Sequence, residues 1–280
     1  MKKLIGLILC GMMVLAGCST ASTASTTSSS TSDGTMTITV LDVGKADAIL
    51  FATSEGYVLM DTGLDEDKDD LVKQLQDMGV TKLAALIITH FDKDHVGGAD
   101  AIVENFSIDQ IYTTYITSSN EDVLDFQAAL TAKGLKMTRV YDTTMTLGGA
   151  TFAINGATDD YSEKPDNNSS LITMVTFGTK KYLFMGDAMD ERIEQYMANH
   201  DVDADFLKVP YHGYYQNDLE TLFKAVTPTA AAITNSKKNP GSSELKQTES
   251  LLKEVGASVY EAASGNITVT CTTSGFTVTQ

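Results

Sequence analysis

The chain has 280 residues, with 20 Lys and Arg against 37 Asp and Glu. A formal net charge of -17 at pH 7 argues against loose electrostatic binding to nucleic acid or anionic lipid, and no strong basic patch for nucleic acid is evident. Only three Cys are present, at positions 10, 18 and 271, which excludes a disulfide framework and a Cys-based metal site.

Lys2 and Lys3 precede an apolar run over 4–15. That run is shorter than the ~20 residues a transmembrane helix needs, and it has the charge and length of an export signal. It closes on Leu15-Ala16-Gly17-Cys18, which resembles the lipobox of bacterial lipoproteins. That resemblance implies that 1–18 is a signal segment, that Cys18 carries lipid, and that the protein sits on the outer face of a bacterial cell membrane. Residues 19–34 are almost entirely Ser, Thr and Ala, a composition too polar to bury a core and expected to form a flexible tether. No second linker follows, so 35–280 is read as one folded domain.

Within it, Met36, Ile38 and Val40 alternate with Thr37, Thr39 and Leu41, and apolar runs at 48–51 and 57–60 continue a series of strands. A helix is expected over 69–78, a buried strand over 83–88, a helix over 97–105 and a strand over 109–114. Residues 120–133 read as a helix with Val123, Gln127 and Leu130 aligned and Gly134 closing it. The second half repeats the mixture. Strands are expected at 138–141, 146–154, 170–177, 181–185, 205–209 and 229–234, and helices at 189–199, 217–225 and 243–255. Strands at 258–262, 265–271 and 275–279 finish the chain. Strand meanders alternating with single helices, twice over, predict two α/β halves packed sheet to sheet.

The densest chemistry lies at His90-Phe91-Asp92-Lys93-Asp94-His95-Val96-Gly97-Gly98, directly after the strand over 83–88. Imidazole and carboxylate are common ligands of catalytic zinc, manganese and iron. A loop at a strand end can fan several of them around one point. The chain has only four His, at 90, 95, 200 and 212, so two within one loop is a strong signal. Three other apolar strands also end in polar groups: at Asp61-Thr62-Gly63, at Gly186-Asp187 and at Pro210-Tyr211-His212-Gly213.

Taken in order, these motifs resemble the metallo-β-lactamase superfamily, and within it the hydrolase domain of the ComEC competence proteins. Leu41-Asp42-Val43-Gly44-Lys45-Ala46-Asp47-Ala48 and Asn168-Ser169-Ser170-Leu171 belong to the same set. The resemblance implies an α/β fold, an αβ/βα four-layer sandwich with one or two divalent ions, zinc or manganese, at the edge of the sheets. It implies that His90 and Asp92 serve a first ion, Asp94, His95 and His212 a second, and that Asp187 bridges them. A metal-bound hydroxide would be the nucleophile.

This chain departs from the superfamily's usual His-x-His-x-Asp-His, because Asp92 stands where the second His would be. Asn167, Asn168 and Ser169 occupy the segment from which a later His would complete the first ion's shell. Tyr211 and Asn239 stand where the ComEC group has His. Tyr211 can hydrogen-bond a phosphate oxygen but is a poorer general acid at neutral pH. Asp61, Asn168 and Asn239 are expected beside the ligands or the substrate, with Asp61 and Asp47 accepting hydrogen bonds from the backbone or from His. His200, at a helix C-terminus, has a structural explanation in the helix dipole.

Two functions remain open from the sequence. One is a membrane-tethered metal-dependent hydrolase, with a phosphoester substrate and Asp94 and Tyr211 as catalytic groups. The other is a non-catalytic lipoprotein that keeps the fold, with its metal structural or absent, and binds an envelope component or a DNA-uptake partner.

Overall fold

The computed structural model describes residues 34–280 apart from 116–117, 159–160 and 237–241. The export signal, Cys18, residues 19–33 of the tether and Asn239 therefore lie outside the described residues. No helix among the described residues is long and apolar enough to cross a membrane.

The first strands, β1 (Thr35–Val40), β2 (Ile49–Thr53) and β3 (Gly56–Met60), form an antiparallel meander. All five residues of β2 are buried, because both faces of the sheet are covered: Leu50 packs on one side, Ile49 and Phe51 on the other. The chain then winds through α1 (Lys68–Asp77), β4 (Lys82–Ile88), α2 (Lys93–Val96), α3 (Ala99–Asn105), β5 (Ser107–Thr113), α4 (Glu121–Lys133) and β6 (Thr138–Arg139). Strands β3 to β6 run parallel. Helix α4 starts where Asn120 Oδ1 accepts a hydrogen bond from Val123 N at 3.0 Å, and ends on Gly134 at φ 66. Its inner face is Val123, Phe126, Ala129 and Leu130; Gln127 stands half out of the core.

The second sheet begins with β7 (Asp142–Leu147) and β8 (Ala150–Asn155). The single strand expected over 146–154 is thus a hairpin. Gly148 and Gly149, at φ 54 and 82, form its turn, which is the Gly-Gly signal for a two-residue hairpin loop. One helical turn, α5 (Pro165–Asn168), leads into β9 (Ile172–Phe177) and β10 (Lys180–Phe184). Then α6 (Asp190–Asn199), β11 (Phe206–Lys208), α7 (Leu219–Val226), β12 (Ala230–Ile233), α8 (Ser243–Glu254) and β13 (Ser258–Glu261) alternate, with β10 to β13 parallel. Strands β14 (Ile267–Thr272) and β15 (Phe276–Thr279) return to the first sheet, where β14 pairs with β1.

The sheet orders are β15-β14-β1-β2-β3-β4-β5-β6 and β13-β12-β11-β10-β9-β8-β7. Met36, Ile38, Phe51 and Ile87 of the first meet Phe152, Val175, Phe184 and Phe206 of the second in the central core. Leu75, Ile102, Phe126 and Leu130 cover the outer face of the first sheet. Ile193, Leu222, Phe223 and Leu252 cover that of the second. The result is the four-layer αβ/βα sandwich that the resemblance implied. Cys271 is a free thiol buried in the central core.

Candidate metal centre

In each sheet a parallel set of strands directs its C-terminal ends to one rim, and the polar residues gather there. Asp61 follows β3, His90 and Asp92 follow β4, Asp187 follows β10 and His212 follows β11. Asp94 and His95 lie not in a loop but on the single turn α2. Gly97 explains why that turn sits so deep. A Cβ there would come within 2.4 Å of Asp65 N and 2.7 Å of Leu64 C. Asp61, Tyr211 and His212 adopt left-handed backbone at φ 59, 51 and 52. For residues other than Gly this costs about 1–3 kcal/mol each, a strain that collects at functional sites.

The three imidazoles are built alike. Each is fully buried or nearly so, with Nδ1 engaged by the protein and Nε2 turned inward. His95 Nδ1 lies 2.8 Å from Asp61 Oδ2. Asp61 in turn accepts from Thr89 N at 2.8 Å and from Thr89 Oγ1 at 2.7 Å. His90 Nδ1 lies 3.2 Å from Thr89 Oγ1 and 3.4 Å from Ser170 Oγ. His212 Nδ1 lies 3.0 Å from the Thr234 carbonyl oxygen. A proton held on Nδ1 by these acceptors leaves the Nε2 lone pair facing the centre.

The Nε2 atoms meet carboxylates. His95 Nε2 is 3.3 Å from Asp187 Oδ1, and His212 Nε2 is 3.2 Å from Asp187 Oδ2 and 3.4 Å from Asp94 Oδ2. Asp187 therefore stands between the two groups, one oxygen toward each. His90, His95 and Asp187 form one cluster able to hold a metal, and Asp94, His95 and His212 form another. Asp92 belongs to neither; it stands at the mouth, 3.6 Å from His90 Nε2, and accepts from Asn167 Nδ2 at 3.3 Å.

The residues fit a divalent cation. His90 Nε2, His95 Nε2, His212 Nε2 and Asp187 Oδ1 are all buried without a hydrogen-bond partner. Orphaned polar atoms are expensive inside a protein, and four around one point call for a common partner. Imidazole nitrogen with carboxylate oxygen is a donor set for a divalent transition metal.

Without a cation the charges lean on one another. Burial works to lower the pKa of His212, but the Asp187 carboxylate outweighs it and holds the imidazole at about 10. His95 is raised by Asp187 and Asp61 against the same burial. Burial alone would raise the Asp187 pKa; His212 and His95 instead hold its carboxyl well below the usual range. Asp94 is likewise lowered against burial by His212 and His95.

Tyr211 precedes His212, and its phenol is raised by burial and then by the Asp187 charge. Asn168 acts one step from the ligands. Its Oδ1 accepts from Met189 N at 2.9 Å and Arg192 N at 3.3 Å, bracing the segment after Asp187. Reading the sequence placed Asn167, Ser170 and Lys45 in motifs but gave no role to them or to Lys208. Ser170 Oγ accepts from Asp187 N at 3.1 Å. Lys45 reaches Asp94 Oδ2 at 2.9 Å from the solvent side. Lys208 is completely buried and pairs with Asp47. A signal for it existed: a lone charge in the apolar strand before Pro210 is out of place unless paired.

Comparison with known proteins agrees with this geometry. The family model described as the Metallo-beta-lactamase superfamily matches residues 41–234. ComE operon protein 3 of Bacillus subtilis is 25% identical over 225 residues, covering 72% of this chain and 28% of that protein. Recombination protein 2 of Haemophilus influenzae is 27% identical over 220 residues, covering 75% of this chain and 25% of that protein. The match thus spans only about a quarter of the length of each relative. Among solved structures, the metallo-beta-lactamase fold protein YhfI from Bacillus subtilis superposes with a TM-score of 0.57 at 15% identity, covering 85% of this chain and all of that one. With its four layers, its rim of His and Asp, and a family match over more than half its length, the chain belongs to the metallo-β-lactamase superfamily.

Proposed function

We propose that this protein is an exported, lipid-anchored hydrolase that uses one or two divalent ions, zinc or manganese, to cleave phosphodiester bonds at the outer face of a bacterial membrane. The observation that carries the reading is the set of three buried imidazoles around Asp187, each with Nδ1 engaged and Nε2 facing carboxylates without a hydrogen bond. Similarity to ComE operon protein 3 and to a protein named for recombination supports phosphodiesters as the substrate class. Lipidation at Cys18 rests on the sequence motif alone.

His90, His95, Asp94, His212 and Asp187 would hold the ions. A divalent ion there supplies positive charge for developing oxyanions and lowers the pKa of water. The chain's own groups do the rest. Asp94, 16% exposed, presents an acceptor oxygen at the mouth, where it orients or takes a proton of the attacking water. The Tyr211 phenol keeps its proton at neutral pH and donates a hydrogen bond to a substrate oxygen. Lys45 brings a cation to the mouth beside the Asp94 carboxylate.

The test is hydrolysis of bis(p-nitrophenyl) phosphate by protein purified without chelator, with metal content measured in parallel. Turnover should vanish with chelator, return with manganese or zinc, and be lost in Asp94→Ala. Undiminished turnover in a metal-loaded Asp94→Ala preparation would rule the mechanism out. No metal uptake and no hydrolysis would favour the non-catalytic lipoprotein. Cys18→Ser should release the protein from the membrane fraction; retention there would refute the anchor.

A further inference from the structure

Lys208 takes no part in the mechanism above, yet it is a fully buried charge at the rim. It ends β11 after Phe206 and Leu207, and its side chain is wholly buried. Its ammonium pairs with the Asp47 carboxylate, donates to the Gly186 carbonyl oxygen at 3.2 Å and stands 4.0 Å from Asp187 Oδ1. Burying an ammonium is costly, and the Asp47 carboxylate is the nearest of the groups that compensate this one.

His95 belongs to three clusters able to hold a metal, and the third, Asp47 with Asp61, lies on its Nδ1 side. Asp61 Oδ2 is 2.8 Å from His95 Nδ1, and Asp47 Oδ2 is 4.0 Å from it. The two sides of the ring differ in one respect. On the Nε2 side, nitrogen and carboxylate atoms lack partners. On the Nδ1 side the ring nitrogen bonds Asp61, both Asp61 oxygens accept from Thr89, and Asp47 Oδ2 has Lys208, so that only Asp47 Oδ1, 3.4 Å from His212 Nδ1, is left without a hydrogen bond. Two buried carboxylates beside an imidazole would otherwise attract a cation. Here the chain supplies its own.

We propose that Lys208 is a resident cation that fills the Asp47–Asp61–His95 cluster, closes it to divalent ions and confines them to the Nε2 side of His95. The inference rests on the reading of the Nε2 side as the metal centre, but its test is separate. Lys208 is a positioning residue: it holds Asp47, whose Oδ1 lies 3.4 Å from His212 Nδ1, and so acts on the ligands through their neighbours.

Lys208→Ala removes the charge and leaves room for a hydrated ion beside an uncompensated carboxylate. The full-length protein in detergent is dialysed to equilibrium against manganese chloride, and bound manganese is measured by elemental analysis. Lys208→Ala should bind one more manganese per chain than the wild type. The double variant Lys208→Ala/Asp47→Asn should return to the wild-type number. A Lys208→Ala protein with the wild-type number overturns the proposal, whether that number is two, one or zero. Zero in the wild type would count against the metal-dependent hydrolase instead. Should Lys208→Ala not fold, Asp47→Asn decides. It frees the ammonium toward Asp187, and manganese affinity should fall about tenfold or more with unchanged circular dichroism. Unchanged affinity would overturn the proposal.

Discussion

Asp61 shows how one side chain can matter to a centre it never touches. It receives Thr89 N, Thr89 Oγ1 and His95 Nδ1, and so sets the tilt and tautomer of the ring between the two clusters. Asn tolerates the left-handed backbone that Asp61 adopts at φ 59, whereas Ala would add strain. We therefore expect Asp61→Asn to fold normally but to bind metal about 10–100-fold more weakly, as read by competition with a chromogenic chelator. The ionisation of the empty centre gives a second expectation. His212, held at about 10, and His95, raised also, are protonated near pH 7.5 without metal, yet must bind it as neutral rings. Metal binding should release about two protons there. Calorimetry in buffers of different ionisation enthalpy counts them. For the metal-free protein, the raised His212 contributes stability present in full below about pH 6.5 and lost as pH rises through about 10. The lowered Asp187 contributes stability present above about pH 4 and lost in stronger acid. Thermal unfolding of the metal-free form should peak between those limits. The polar rim was legible in the sequence because polar groups after apolar strands stand out. Lys208 was legible only as a charge out of place in an apolar strand; that it pairs with Asp47 is seen only across the fold.

At the scale of elements, the rim depends on how strands and helices are tied. Arg192 of α6 is 1% exposed and ties its helix to the end of β8 and to the segment before β9. Nε donates to the Ser170 carbonyl oxygen at 3.2 Å, Nη2 to Asn155 O at 3.0 Å and Oδ1 at 2.6 Å, and Nη1 to Gln195 Oε1 at 2.7 Å. Arg192→Ala strands these acceptors and leaves a cavity. We expect a loss of about 2–4 kcal/mol in denaturant unfolding. Metal affinity should fall with it, because Ser170 Oγ accepts from Asp187 N. The helices and most strands were legible from periodicity, and caps such as Asn120 and Gly134 marked ends well. The hairpin of β7 and β8 was read as one strand, although the apolar phase shifts from Met145 and Leu147 to Ala150, Phe152 and Ile154 across Gly148-Gly149 and so marks the turn. The turn α2 escaped because four residues are too few to show a helical period.

For the molecule as a whole, the excess of acidic groups shapes encounter with any anionic substrate. A net charge of -17 repels polyanions at long range, and salt screens the repulsion with a Debye length of about 10 Å at 0.1 M. We expect the apparent second-order rate for an oligonucleotide to rise between low and moderate salt. That for a small singly charged phosphodiester should change little. A fall with salt for both would point to a basic track that the sequence does not show. The layered architecture was readable from strands alternating with helices. The pairing of the chain's two ends was not, because nothing local to Met36 or Cys271 announces the other.

That pairing governs how the protein is made. Met36 lies opposite Cys271, and β1 is sandwiched between β2 and β14 in the middle of its sheet. During synthesis β1 emerges first of the described strands and keeps one edge open until nearly all the rest has followed. An open edge invites pairing with other chains, and closing so long a loop is slow. Folding is therefore a race between the last hairpin and aggregation, and a chain cut before Ile267 should collect as insoluble protein even though every candidate ligand is present.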